Sequence, residues 1–302
     1  MVDIAQITAP EIPPLVGRGP ELALALAVLR SGRHLLLEGP AGVGKTRLAL
    51  AACAALGRGA VRVDGDDRHS EARLAGWFDP PAVLRAGYGP ASFTPGPLVE
   101  AMRAGSVLFV NELNRMPEAV QNVLLPALDE GRVGVPHVGE VRAAPGFALV
   151  ATQNPAEYVA AGRLSEALRD RLEHLALSWQ PEAEERAIVA AGAGCGPALA
   201  AWAVRLARAS RSHPAVARGA SVRAALAAAS LAAALAPPGG DPGPAELAAA
   251  ASAALRTRLD LRGDAGAAFA PVLADLLAAA GPPGEAAPGR AGPGPGAGGG
   301  EG

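Results

Sequence analysis

Residues 39–46, "GPAGVGKT", follow the spacing G-x-x-x-x-G-K-[ST] between an apolar run and a helix-forming one. In the loop Gly39, Pro40, Ala41, Gly42, Val43 and Gly44, the glycines let successive backbone N–H groups surround phosphate oxygens, helped by the start of the next helix. Lys45 would neutralise the β- and γ-phosphates of ATP, Thr46 would place its hydroxyl on Mg²⁺, and Arg47 follows at the same helix start. A second chemistry-bearing stretch is "VLFVNE", residues 107–112, an apolar strand ending in an amide and a carboxylate. Glu112 suits the polarisation of an attacking water. Asn111 takes the metal-side position, where its amide oxygen can accept a hydrogen bond from a metal-bound water but brings no charge. In that role the strand is expected to lie beside the one preceding the phosphate loop.

Other residues can complete such a site. "ATQNP" (151–155) puts Asn154 at the end of another apolar strand, where an amide can orient water and sense the γ-phosphate. Arg169 and Arg171 in "LSEALRDRLEH" can stand at a domain rim and reach a neighbouring subunit's nucleotide. Arg223 lies in the first turn of a helix that Ser221 can cap, an unfavourable end for a cation unless an anion is nearby. Arg205, Arg208, Arg211 and Arg218 read as a solvated face.

Composition narrows the classes. The chain of 302 residues is half hydrophobic, with alanine dominant and aromatics at 3%, so its core is built on Leu, Val and Ala. A net charge of −2 and a pI near 6.2 exclude a global basic field for nucleic acid. Cys53 and Cys195, without a metal-ligand cluster or a secretory leader, point to a reducing cytoplasm. No stretch reads as membrane-spanning. Lys45 is the only lysine, and Asn111, Asn114, Asn122 and Asn154 are the only asparagines. In an Arg- and Ala-rich background, surviving residues of these types mark positions where chemistry tolerates no substitute.

The elements that must position these residues alternate. Helices are expected over 20–32, 45–57, 96–105 and 116–131, strands over 34–39, 60–65, 106–110, 147–155 and 174–179, and a hairpin over 132–145 turning near Gly139. Segment 66–97 is Gly/Pro-rich and reads as an irregular functional insertion. The domain reading is an extended segment 1–15, an α/β nucleotide-binding domain 16–179, a helical domain 180–280 and a disordered Gly/Pro-rich tail 281–302.

The set "LVGRGPELALALAVLRSGRHLLLEGPAGVGKT", "FTPGPLVEA", "LFVNELNRMPEAVQNVLLPALDEGRV", "ATQNP", "LSEALRDRLE" and "GASVRAAL" resembles the AAA+ ATPases, and within them the MoxR-type family related to the magnesium chelatase ATPase subunit. The resemblance implies a parallel sheet flanked by helices with a smaller all-α lid. It makes 39–46 Walker A, Asn111–Glu112 Walker B, Asn154 sensor 1, Arg171 the arginine finger with Arg169 as alternate, and Arg223 sensor 2. It also implies ATP and Mg²⁺, hexameric rings, and chaperone-like remodelling of a protein partner bearing a von Willebrand factor A domain; the charge balance gives no reason to expect a nucleic-acid partner. Two positions depart from the family: Asn111 replaces the usual Walker B Asp, and Val222 replaces a common Pro. The first leaves a second reading, a nucleotide-gated assembly module with little hydrolysis; a third keeps the enzyme and changes its job, to the ATPase of a metal chelatase or gas-vesicle system. "GDD" at 65–67 and "NPAEY" at 154–158 resemble the gas-vesicle group.

Overall fold

Apolar runs closed by glycine or proline set the first elements in the computed structural model. It describes residues 6–7, 15–155, 164–263 and 269–284. The chain divides into two units, Met1–Gln180 and Pro181–Gly302. In the first, β1 (Gln6–Ile7) precedes α1 (Gly19–Arg30), β2 (His34–Glu38), α2 (Lys45–Ala55) and β3 (Ala60–Asp64). Then come α3 (Glu71–Ala75), β4 (Gly76–Phe78), α4 (Pro80–Ala86), β5 (Phe93–Pro95), α5 (Pro97–Ala104) and β6 (Val107–Asn111). The unit closes with α6 (Glu118–Asn122), α7 (Leu125–Asp129), β7 (Arg132–Val135), β8 (Gly139–Arg142), β9 (Ala148–Gln153), α8 (Glu166–Arg169) and β10 (Leu172–Ala176).

The main sheet runs β1-β3-β6-β9-β2-β10, all neighbours parallel except the antiparallel edge strand β1. Its central strands are fully buried, which is why they read as unbroken apolar runs. One core forms on each face, around Leu108, Val110 and Leu149 on one side and Leu35, Leu37 and Phe109 on the other. Parallel sheets bind ligands outside the carboxyl ends of their strands. Here that edge carries Glu38, Asp64, Asn111 and Gln153.

Several expectations change. The strand ending in Asn111 does not lie beside the phosphate-loop strand: β9 separates β6 from β2. The expected helix 116–131 is two short helices, because Pro126 in the first turn of α7 has no N–H to continue the ladder from α6. The strand expected at 174–179 begins at Leu172, since an edge strand tolerates the polar Glu173 and His174. The hairpin is as expected, its turn at 136–138 closing on the paired Val135 and Gly139. Segment 66–97 is ordered. Ser70 and Asp79 cap α3 and α4 by accepting from the Arg73 and Ala82 amides, and β4 pairs with β5. Phe78 gathers Tyr88, Phe93 and His137 at ring separations of 5.1, 5.4 and 6.0 Å.

His34 ties β2 to its surroundings: Nδ1 accepts from the Leu149 N–H at 3.1 Å, and Nε2 lies 3.4 Å from the Leu128 carbonyl. Burial holds its pKa below the ordinary 6.5, against the opposing pull of that carbonyl. The unfolded chain therefore binds the proton more readily, so the His34 contribution is intact above the unfolded pKa and is lost as pH falls below it. The urea midpoint of the first unit is expected to drop from pH about 7.5 to about 5.5, and His34→Asn to flatten that slope. A slope unchanged in the variant would refute the assignment. Cys53 is buried, its thiol pushed up to about 12 by desolvation, which makes it an inert core residue.

The second unit comprises α9 (Glu182–Ala193), α10 (Pro197–Ser212), β11 (Val216–Arg218), α11 (Val222–Leu235), α12 (Pro244–Leu255), β12 (Asp260–Leu261) and α13 (Phe269–Ala280). Alanines let α11 approach α10 and α12 closely around Trp202 and Leu206. The helices thus carry in addition a two-stranded pair, β11 with β12. Of the arginines read as a solvated face, Arg218 is exposed as expected, whereas Arg205, Arg208 and Arg211 are structural. Arg205, buried, donates to the Ala280 and Pro282 carbonyls at 2.6 and 2.9 Å. Arg208 and Arg211 neutralise the fully buried Glu185 at 3.2 and 2.8 Å, and Arg218 pairs with Asp260 at 2.8 Å. Among the described residues, no helix is long and apolar enough to cross a membrane. The tail expected to be disordered lies, from residue 285 on, outside the described residues, as does most of 1–15.

Candidate nucleotide-binding and hydrolysis site

The turn from β2 into α2 needs its glycines. Gly42 and Gly44 have φ of 82° and 95°, the left-handed region that favours glycine. A Cβ on Gly39 would stand 2.2 Å from the Leu177 carbonyl oxygen, just beyond β10. Lys45 curls over the loop, with Nζ donating to the Gly39 and Pro40 carbonyls at 2.6 and 3.0 Å. Its ammonium is thereby held inside the turn that would wrap phosphates. Arg47 follows in the first turn of α2.

Thr46 and Asn111 meet across the strand edge: the Thr46 hydroxyl lies 3.4 Å from Asn111 Oδ1. β9, the strand between them, supplies the clamp. Thr152 is fully buried; its Oγ1 donates to Asn111 Oδ1 at 2.9 Å and accepts from the Glu112 N–H at 2.9 Å. Asn111 Nδ2 donates to Asp64 Oδ1 at 2.8 Å, on the adjacent strand β3. Burial would raise the Asp64 carboxyl, but hydrogen bonds from Arg62 and Asn111 outweigh it and hold it below the usual carboxylate range.

Glu112 has a left-handed backbone, φ 57° and ψ 49°, which costs a non-glycine residue about 1–2 kcal/mol. The turn is held by the Thr152 contact and by Gly65, whose N–H donates to the Asn111 carbonyl at 2.6 Å. A Cβ on Gly65 would stand 2.1 Å from the Glu112 carbonyl oxygen, so the residue must be glycine for this turn to form. The Glu112 carboxylate, partly exposed, pairs with Arg115 Nε at 2.9 Å. Asn154 is buried directly after β9. Asn114 is buried too, and neither polar atom of its amide has a hydrogen-bond partner among the described residues.

Residues 34–172 match the AAA domain of the dynein-related subfamily. Protein NorQ of Paracoccus denitrificans is 33% identical over 201 residues, covering 66% of this chain and 72% of NorQ. The chain belongs to the MoxR-type AAA+ ATPases. The gas vesicle ATPase GvpN of Ancylobacter aquaticus is 30% identical over 217 residues, covering 67% of this chain and 61% of GvpN. The solved structure of NtrX from Brucella abortus in complex with ADP, 21% identical, shares the fold with a TM-score of 0.52 over 76% of this chain and 52% of that one. This MoxR-type chain is thus a nucleotide-binding AAA+ protein with a parallel sheet, flanking helices and a set of C-terminal helices.

Of the residues picked from the sequence, the fold of this AAA+ unit gathers Lys45, Thr46, Asn111, Glu112 and Asn154 on one edge of the sheet. Arg171 lies just before β10, with Nε donating to Asp129 at 2.5 Å, while Arg169 at the end of α8 is exposed. Arg223 is exposed in the first turn of α11, after Ser221, which occupies the N-cap without a side-chain cap bond. The neighbouring Val222 is buried in the helical core.

Sequence reasoning missed Asp64, Gly65, Thr152 and Arg18. Arg18 is buried, pairs with Glu21 at 2.7 Å and donates to the Val43 carbonyl of the phosphate loop at 3.0 Å and to the Ser178 carbonyl. Its signal was a charged residue in the "LVGRG" stretch, already quoted for the resemblance without a role.

Proposed function

We propose that this chain is an ATP-hydrolysing remodelling motor that works as a hexameric ring on a protein partner, one with a von Willebrand factor A domain. The observation that supports its ATP-hydrolysing part is the edge where Thr46 meets Asn111 beside the Lys45 loop, with β9 clamping both Asn111 and Glu112. Lys45 would bind the β- and γ-phosphates, Asn154 would hold the attacking water near the γ-phosphate, and Glu112 would take its proton. Each of these groups lies at a strand end or helix start, which supports a site positioned before substrate arrives.

The site fits Mg²⁺. Thr46 and Asn111 present hard oxygen donors, and no group of three or more His, Cys, Asp or Glu forms a cage among the described residues. Mg²⁺ suits such a site, because it is held by few protein oxygens together with substrate phosphates. When bound it would neutralise charge on the phosphate oxygens.

An arginine reaching from the adjacent subunit would stabilise the charge that develops on the γ-phosphate. Arg171 is the first candidate and would exchange Asp129 for phosphate; Arg169 is exposed and is the second. Arg223 would keep the nucleotide-sensing role that the family resemblance gives it. Phosphate release from ATP by the purified protein tests the whole reading, and background turnover in every nucleotide condition would sink it. Arg171→Ala is expected to keep nucleotide affinity, lose turnover, and regain some when mixed with Glu112→Gln chains. Loss of turnover in Arg169→Ala instead would move the role there. The likeness to a gas vesicle ATPase supports a second reading, the same motor employed in vesicle assembly.

A further inference from the structure

The carboxylate missing from the end of β6 stands one strand away. Asp64 and Asn111 are register partners on the parallel strands β3 and β6, so both side chains arise at the same edge. The Asn111 amide has three partners: Asp64 on one side, and the Thr46 and Thr152 hydroxyls on the other. A carboxylate can only accept, so the group facing Asp64 is the NH₂. Thr152 Oγ1, already accepting from the Glu112 N–H, gives its own proton to Asn111 Oδ1. Both constraints turn the amide the same way, with its oxygen toward Thr46.

From this geometry we infer that Asp64 is the acidic partner of Asn111: a positioning residue that aims the amide oxygen at the Thr46 side and returns to the pair the negative charge that asparagine lacks. Two residues on adjacent strands thus share the work of one carboxylate. The inference rests on the ATPase reading above. Asp64 also takes the Arg62 guanidinium at 2.8 Å, so its simpler employment is as a surface ion-pair partner. Removing Arg62 as well as Asp64 separates the two roles.

The experiment titrates Mg²⁺ against binding of a fluorescent ADP analogue, with affinity in EDTA and thermal unfolding read alongside, and with ATP turnover as a second signal. Asp64→Asn is nearly isosteric at a largely exposed side chain, so the fold is retained. It is expected to raise the Mg²⁺ half-saturation about tenfold, the scale of one charge-assisted hydrogen bond, while affinity in EDTA stays unchanged. Arg62→Gln should leave that half-saturation where it is. Asn111→Asp alone sets two carboxylates against each other and should gain nothing. The exchange Asp64→Asn with Asn111→Asp restores one acid and one amide, and should return within about threefold of wild type.

An Asp64→Asn protein with wild-type Mg²⁺ dependence would overturn the inference, as would an exchange no better than Asp64→Asn alone, or Arg62→Gln reproducing the whole effect. Wild-type protein that binds no nucleotide would overturn the ATPase reading and this inference together. Wild-type protein whose Mg²⁺-dependent binding ignores Asp64 would overturn only the inference.

Discussion

Lys45→Ala is expected to abolish nucleotide binding at concentrations that saturate the wild type. The Lys45 ammonium sits inside the phosphate loop, donating to the Gly39 and Pro40 carbonyls. Hydrogen bonds to charged groups are worth about 1.5–3 kcal/mol each, so losing the contacts to two phosphates lowers affinity by roughly two orders of magnitude or more. Lys45→Arg should fail nearly as badly. A planar guanidinium is a forked donor and cannot replace a compact charge at the bottom of a tight turn. The pair of variants also tests why this chain, which uses arginine everywhere else, keeps its single lysine at this position. Calorimetric titration with ATP reads both; unchanged affinity in Lys45→Ala would remove the phosphate-loop assignment.

Glu112→Gln should separate binding from chemistry. The amide keeps the side chain's size and leaves the left-handed turn untouched, because that turn is held through the backbone by Thr152 and Gly65. It cannot take a proton from water. A general base contributes about 10²–10⁴-fold, so turnover should fall by that factor while ATP affinity stays within about threefold. Turnover close to wild type would mean that another group activates the water. A loss of ATP affinity of the same size as the loss of turnover would place Glu112 in substrate binding instead.

Features that depend on neighbours along the chain were legible in the sequence. The buried strands β2, β6 and β9 announce themselves as apolar runs, and the phosphate loop is a local pattern whose glycines serve local dihedral angles. What depends on neighbours across the sheet was not. Nothing in residues 107–112 says that β9 will come between them and β2, so Thr152 passed as one more residue of an apolar strand. Asp64 ended a short strand and could not be matched to Asn111 before β3 and β6 were known to pair. The same limit explains Arg208 and Arg211 of α10, whose partner Glu185 lies on another helix. In segment 66–97 the failure was of another kind. Its Gly/Pro content was read as irregular chain, whereas Pro80 and Pro81 open α4 behind the Asp79 cap.

Gly65 bears on how this chain should be compared with others. The run "GDD" at 65–67 resembles the gas-vesicle group, and a shared glycine would ordinarily count toward that kinship. Yet any side chain there would collide with the Glu112 carbonyl, so the glycine is demanded by the turn itself, whatever the protein is employed to do. Its information about ancestry or occupation is therefore nil. Asp67 carries more of that signal than Asp66, whose carboxylate accepts from the Arg68 N–H at 2.7 Å and so serves the local turn as well.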